Sequence, residues 1–359
     1  MSKQRDYGLI LAGGRGTRFW PLSRRNRAKQ VLSVVGESTL IQATVERLSP
    51  LIPPERLWVL TNSHLRDEIV RQLPQVPKRQ ILAEPEQRNT APAIGLAAHI
   101  LQSIDRDSVM GVFPSDHVIA KPRRYLQFVR AAFRSAGQGK IAVLGIAPRR
   151  PDTGYGYIEF PVGIKSGSLE PIQIVKFREK PDLATARRFV KAGRFHWNAG
   201  MFFWRTDVLL DALRRHLPKT ATILSSLPPF PDRLFSSKLK QAFPLCENIS
   251  IDYAVLERAG NVVGLACDDI GWSDVGSWDA VHELLARDEN GNASRSEALY
   301  QASSGNYVDA RGKLVALLGV DDLIVVDTPD ALLVADRKKA QQVGNLVKLL
   351  EQMGRRELL

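Results

Sequence analysis

The amino-acid sequence predicts an α/β fold with a mixed, mainly parallel sheet, followed by a small β-rich C-terminal domain that ends in a helix. Three observations carry this. Short apolar runs alternate with amphipathic stretches through the first half of the chain, the pattern of a sheet covered by crossover helices. The first of these runs feeds directly into a glycine-rich loop. Beyond residue 297 the texture changes to closely spaced apolar runs divided by Arg-Gly, Asp-Asp and Pro-Asp turns.

Taken in order, Tyr7–Ala12, Leu57–Thr61, Val109–Phe113 and Ile141–Ile146 read as buried strands. Between them, Thr39–Leu48 can place Leu40, Ala43, Thr44 and Leu48 on one helical face, and Arg123–Ala136 can do the same with Leu126, Val129, Ala132 and Phe133. From Tyr155 to Trp204 the pattern turns to β segments, Tyr157–Pro161 and Ile172–Phe177, then a helix near Leu183–Ala192. This reads as an insertion that builds one wall of a cleft. The polar, turn-rich Ala286–Ser296 marks a boundary between domains at 1–288 and 297–359. After it come strands at Asn306–Asp309, Leu314–Val320, Leu323–Asp327 and Ala331–Val334, and a helix with Val343, Leu346, Val347 and Leu350 on one stripe. Strands so closely spaced can stack as a short β-solenoid or form a small sheet used for association, and a homodimer through this domain is expected.

At 359 residues the chain can bury a sizeable core. No stretch approaches the roughly 18 uninterrupted apolar residues of a membrane span. The polar start, Met1–Asp6, leaves no room for the apolar region of a signal peptide, so a soluble cytoplasmic protein with no membrane partner is expected. Cys246 and Cys267 are far apart and outside any metal-binding spacing, which points to buried free thiols. The net charge of +12 suits an anionic partner, but Lys and Arg are scattered and no nucleic-acid motif is present, so nucleic acid is excluded as a partner.

The loop after the first strand holds Gly13, Gly14 and Gly16, which let backbone N–H groups approach phosphate oxygens, with Arg15 and Arg18 adding positive charge. It matches neither a P-loop nor a dinucleotide fingerprint, and a plain structural turn accounts for it equally well. Three acidic sites follow apolar runs: Asp116 in Phe-Pro-Ser-Asp-His-Val, Glu179 beside Lys180, and Asp274 in Gly-Trp-Ser-Asp-Val-Gly. Asp116 and Asp274 suit a magnesium ion, which takes one or two carboxylates and completes its octahedron with phosphate and water oxygens. Each carboxylate could instead cap a turn, and spacing alone does not separate the two. His117 lacks a second ligand at metal spacing and is expected to hydrogen-bond within its loop. With no nucleophile elbow and no Cys–His pair, direct phosphoryl or nucleotidyl transfer remains, driven by positioning and charge neutralisation.

The run Leu11-Ala-Gly-Gly-Arg-Gly-Thr-Arg-Phe-Trp-Pro-Leu-Ser-Arg24 with Lys29-Gln30 resembles the signature of the sugar-1-phosphate nucleotidyltransferase family, in its mannose-1-phosphate guanylyltransferase branch. Glu84–Ile94, Pro114–His117, Thr153–Ile158, Glu179–Asp182, Trp197–Met201, Ser250–Val255, Trp272–Trp278 and Leu317–Asp327 resemble its other motifs in the same order. The resemblance implies a Rossmann-like catalytic domain in which mannose 1-phosphate attacks the α-phosphorus of GTP, with Mg2+, giving GDP-mannose and pyrophosphate. It implies Leu11, Ala12, Gly13, Gly14, Gly16 and Thr17 as the nucleotide cradle, with Glu84, Asn89, Thr90, Ser115 and Asp116 around the nucleotide. Arg18 and Lys29 would face the phosphates, and Lys180 the sugar phosphate. Tyr155, Gly156, Glu179 and Asn198 would line the sugar pocket, and Asp116 and Asp274 would hold the metal. Asn198 or Thr90 could also serve only to tie loops together. Trp197, Trp272 and Trp278 read as wall and core.

Where the family pattern has proline before Lys29, this chain has Ala28, which loosens the backbone slightly. Nothing resembles the C-terminal extension that carries isomerase activity in two-function relatives, so a single activity is expected. Another sugar 1-phosphate, such as a manno-heptose, is the nearest alternative substrate. A catalytically silent sugar-nucleotide sensor is the alternative from a different class; it would require loss of the metal or phosphate residues, and these are present.

Overall fold

The computed structural model describes residues 5–359. The expectation drawn from the polar N-terminus therefore falls mostly outside the described residues. In chain order the first strands are Asp6–Ala12 (β1), Leu57–Asn62 (β2), Ile81–Glu84 (β3), Val109–Pro114 (β4), Val118–Ile119 (β5) and Ile141–Ile146 (β6). Tyr157–Glu159 (β7), Ile172–Gln173 (β8), Lys176–Arg178 (β9), Phe195–Arg205 (β10), Val262–Cys267 (β11) and Trp272–Ser273 (β12) follow. The main sheet runs β3-β2-β1-β4-β10-β6-β11-β8. β1 pairs in parallel with β2 and β4, and β11 with β6, while β10 enters antiparallel between β4 and β6.

Successive side chains of a buried strand face opposite sides of a sheet, and β1 supplies both cores. Ile10 joins Val59, Phe113, Leu144 and Phe203 on one side, under helices Leu40–Leu48 (α1) and Pro122–Gly137. Leu9 joins Leu60, Val112, Val143 and Trp204 on the other, under Thr90–Ile104 and Thr206–His216. The α1 helix starts on a capping box in which Thr39 accepts from the Gln42 N–H and the Gln42 side chain answers the Thr39 N–H. Ile41 and Val45 are buried with Leu40, Thr44 and Leu48, and the expected Ala43 is only half-buried.

Two expectations are corrected. Ile172–Phe177 is not one strand: the consecutive N–H groups of Ile174 and Val175 donate to the carbonyls of Val262 and Glu159, so the chain changes partners in mid-run. The stretch to Trp204 is also not wholly an insertion, because Phe195–Arg205 is a central strand of the main sheet, apolar enough to be buried along nearly its whole length.

The C-terminal strands are Ala293–Ser294 (β13), Ala298–Gln301 (β14), Tyr307–Asp309 (β15), Val315–Leu318 (β16), Leu323–Asp327 (β17) and Leu332–Asp336 (β18). β13, β15 and β17 stack in parallel, as do β14 and β16, giving the short solenoid that close strand spacing suggests. β13 lies inside the segment read as a polar boundary. Its register is held by the buried Asn292, whose Oδ1 accepts from both the backbone N–H and the Nδ2 of Asn306. Asn306 Oδ1 in turn accepts from Leu323 N–H, a side-chain ladder that period-two patterning does not reveal. The last helix is Val343–Gln352, with Val343 and Val347 buried and Leu346 exposed.

Replacing Phe203 with Ala removes a fully buried ring that packs edge-to-face on Phe113 and Phe133. Denaturant unfolding should show a loss of about 3–5 kcal/mol.

Candidate active site

The site forms where the carboxyl ends of β1, β3 and β4 meet the N-terminal half of β10, the edge at which open α/β sheets bind ligands. One cavity of about 550 Å³ is lined by Leu11, Gly13, Gly14, Gln30, Glu84, Gln87, Asn89, Thr90, Ser115, Asp116 and Asn248. A second, of about 350 Å³, is lined by Tyr155, Gly156, Glu179, Asn198, Asp252, Trp272, His117 and Asp274. Leu11 and Thr90 line both, so the two spaces adjoin.

The glycine loop is held open by side chains from elsewhere. Gln30 Nε2 donates to the carbonyls of Ala12 and Gly14, at 2.7 and 3.1 Å, and Thr61 donates to Ala12 as well. Gly16 has φ +61°, and a Cβ there would lie 2.5 Å from Lys29 Cβ, so both backbone angle and space demand glycine. That close approach seats Lys29, which is buried. Its Nζ donates to Asp116 Oδ2 at 2.9 Å and to the Asp274 carbonyl at 2.6 Å. Burial, the largest influence, pushes the Asp116 carboxyl up, but the Lys29 ammonium, its hydrogen bond and the other neighbours together hold it below the usual carboxylate range.

Thr17 and Arg18 line neither cavity. Thr17 lies against Gly344 of the last helix, and Arg15 faces Glu351 on the same helix at 3.8 Å. Arg18 donates to the Gly276 carbonyl at 3.1 Å, beside Asp274. Asn89 caps the helix that starts at Thr90, with φ +65° and its Oδ1 on the Thr90 N–H. Thr90 also ties loops together, its Oγ1 accepting from Ile251 N–H at 2.9 Å. Glu84 sits in the first cavity with its carboxyl pushed by burial up to about 8.

In the second cavity Glu179 Oε1 accepts from Lys180 Nζ at 2.9 Å. A Cβ on Gly156 would crowd Glu179 Oε2, so a larger residue there would displace this carboxylate. Tyr155 packs between Trp197 and Trp272, at ring separations of 5.0 and 5.5 Å. Burial and then the neighbouring Asp274 push its hydroxyl far above the ordinary range. Trp197 and Trp278 are buried, and Trp272 is half-buried at the cavity wall. The partner of His117 lies outside its own loop: Trp272 Nε1 donates to His117 Nδ1 at 3.2 Å. Burial pushes His117 down to about 4, so the imidazole is neutral with its proton on Nε2. Among the described residues no three or more His, Cys, Asp or Glu side chains are grouped so that they could hold a metal ion by themselves, and both cysteines are buried free thiols.

Sequence reasoning missed Gln87, Asn248 and Asp252 as lining residues. Asp252 stands inside the quoted Ser250–Val255 motif, but its place depends on a single π-turn, Asp252–Leu256, that no periodicity announces.

Ala28 has φ −72°, within the range of proline. Ala28→Pro should raise thermal stability by under about 1 kcal/mol, and a fall in Tm would mean that the packed site leaves no room for the ring. Glu84 gives a pH prediction. Its folded carboxyl lies above the unfolded one, so its contribution is complete below about 4.5 and is lost as pH rises to about 8. The Tm of ligand-free protein should carry that slope, and Glu84→Gln should remove it.

Comparison with known proteins agrees with this fold. The profile described as Nucleotidyl transferase matches residues 7–291, and one described as MannoseP isomerase/GMP-like beta-helix domain matches 301–350. The mannose-1-phosphate guanylyltransferase of Escherichia coli K12 is 38% identical, over 99% of this chain and 76% of its own. The alginate biosynthesis protein AlgA of Pseudomonas aeruginosa is 36% identical, over 97% of this chain and 73% of its own. A crystal structure from Thermus thermophilus, described as a mannose-1-phosphate geranyltransferase, superposes with a TM-score of 0.85 at 32% identity, covering 97% of this chain and all of that one. The chain belongs to the nucleotidyl transferase family and is a nucleotidyltransferase enzyme.

Proposed function

We propose that this enzyme transfers GMP from GTP to mannose 1-phosphate, giving GDP-mannose and pyrophosphate. One observation carries the reading: two cavities adjoin at Leu11 and Thr90, with Asp116 on one side, Asp274 on the other, and Lys29 touching both residues. That is the layout an in-line transfer between a nucleotide and a second phosphate requires. Relatives along nearly the whole chain, named as mannose-1-phosphate guanylyltransferases, support the choice of substrates.

The nucleotide occupies the first cavity, its phosphates on the Gly13–Gly14 backbone and its nucleoside toward Glu84, Asn89 and Ser115. A carboxylate at Glu84 can accept N1–H and N2–H of guanine together, whereas adenine offers no donor at N1. The sugar occupies the second cavity, against Tyr155, Gly156, Glu179 and Asn198, and Lys180 meets its phosphate. Lys29 holds positive charge beside the reacting phosphates, and Arg18 braces the loop that carries Asp274.

Enzymes of this family use a divalent metal ion. Asp116 and Asp274 fit one as hard oxygen donors on converging loops, and we assign them to Mg2+. When bound, the ion supplies charge neutralisation at the α-phosphate. We further assign residues 1–288 to catalysis and 297–359 to the C-terminal domain, place the enzyme in the cytoplasm, and take that domain as the route to a homodimer.

The test is incubation with Mg2+, mannose 1-phosphate and each nucleoside triphosphate in turn, with pyrophosphate release and the nucleotide-sugar measured. Product with GTP is expected, and its absence, or product only from another sugar 1-phosphate, refutes the reading. Asp274→Asn should lower kcat by about 100-fold or more at an unchanged melting temperature, and near-normal turnover would remove Asp274 from the metal site.

A further inference from the structure

The Ile249–Asp252 segment joins the two halves of the site. At one end Ala91 N–H donates to the Ile249 carbonyl at 3.1 Å and Ile251 N–H to Thr90 Oγ1 at 2.9 Å, which anchors the segment to the helix beginning beside the nucleotide cavity. At the other end Asp252 lines the sugar cavity, and its Oδ1 accepts from Asn198 Nδ2 at 3.1 Å. Asn198 Oδ1 meanwhile accepts from Gly200 N–H at 3.0 Å. A carboxamide held at both ends cannot flip, and one N–H and one lone pair are left for a ligand. The segment also enters a π-turn at Asp252, a local departure from α-helix that is frequent at functional sites.

We propose that Asp252 is a positioning residue for sugar selection, fixing the Asn198 carboxamide so that its remaining donor and acceptor meet hydroxyls of the bound hexose. The inference rests on the reaction proposed above. Two features support it. Asn198 sits where the pairing of β10 with β6 shifts register, between Asn198 and Phe202, so the ladder does not regularise the strand there and the side chain depends on its own partners. In addition, Asp252 faces Glu179 and Lys180 from the loop after β9, Asn198 from β10, and Ser250 from its own turn, while Tyr253 acts on Lys180. Burial first, and then the Glu179 charge, push its carboxyl up to about 7, with Lys180 and the Ser250 hydroxyl opposing. The ionised form is the stronger acceptor, so Asn198 is held more firmly above pH 7 than below it.

The experiment compares wild type, Asp252→Ala and Asp252→Asn for kcat and the KM of each substrate between pH 6 and 8, together with thermal unfolding. Asp252→Ala should raise the KM for mannose 1-phosphate about tenfold, the size of one lost hydrogen bond, while the KM for GTP changes less than about twofold. Asp252→Asn can still offer a carbonyl to Asn198, so it should recover most of the sugar affinity. It should also lose the fall in sugar KM that wild type shows as pH rises through 7. An unchanged sugar KM in Asp252→Ala, or an equal rise in both KM values, overturns the proposal. If Asp252→Ala melts early, the pH profile of Asp252→Asn decides: a profile identical to wild type refutes the role. Wild type that fails to turn over mannose 1-phosphate refutes the proposed reaction instead, and the same variants are then compared on the sugar 1-phosphate that is used.

Discussion

The buried ammonium of Lys29 is the interaction on which the site depends. Its Nζ reaches the carboxylate of Asp116 and the carbonyl of Asp274, so one cation joins three loops that the sequence keeps far apart. A buried charge is tolerated only where partners replace the lost water, and here each partner also needs the cation. Gly16 makes the arrangement possible, since any side chain at that position would occupy the space of Lys29. The glycine at position 16 is therefore explained by what packs behind it. A loop fixed in this way before ligand arrives loses less entropy when the ligand binds.

Much of this arrangement was legible in the sequence, and the rest has a common reason for being hidden. Apolar runs located β1, β2, β4 and β6 because burial on both faces leaves an unbroken signature, and helix periodicity located α1 and the helix Pro122–Gly137. What pattern cannot give is the partner. Ile172–Phe177 looks like one strand and serves two, and Phe195–Arg205 looks like part of an insertion and lies at the centre of the sheet. Lys29, Asp116, Glu179, Asn198 and Asp274, all from the quoted motifs, lie at the carboxyl edge of the sheet. The contacts that give them roles span long distances in sequence, 87 residues for Lys29 with Asp116 and 54 for Asn198 with Asp252. Asp252 went unassigned because its importance lies wholly in such a contact.

The C-terminal strands and helix are built into the same region. Phe19, Trp20 and Leu32, which flank the glycine loop, share a core with Trp278, Tyr307, Ile324, Val343 and Val347. Trp20 donates from its ring N–H to the Leu358 carbonyl at 3.0 Å, and Trp278 donates to the Trp20 carbonyl at 3.1 Å. Arg15 and Thr17, which read as parts of an anion cradle, face the last helix instead. The loop thus has two supports, Lys29 and Gln30 from within and the C-terminal helix from outside. The solenoid acts through this shared core as a brace for the loop.

Among the carboxyl groups at the site, Asp116, Glu179, Glu84 and Asp252 divide by how their burial is met. Asp116 and Glu179 each carry a lysine ammonium, at 2.9 Å in both cases. Glu84 and Asp252 have no such direct partner, and burial drives both toward the protonated form. The two kinds answer a ligand differently. Asp116, held below the usual carboxylate range beside Lys29, keeps its charge, and so holds that cation in place whether or not substrate is present. A carboxyl held neutral by burial can give up its proton when a ligand brings N–H or O–H donors, and it then binds them as an anion. Glu84 lines the first cavity with Asp116, and Asp252 lines the second with Glu179. The paired members suit the part of the reaction that is common to every nucleotidyl transfer, the placing of positive charge at the phosphates. The unpaired members suit the part that differs between enzymes, the choice of base and of sugar.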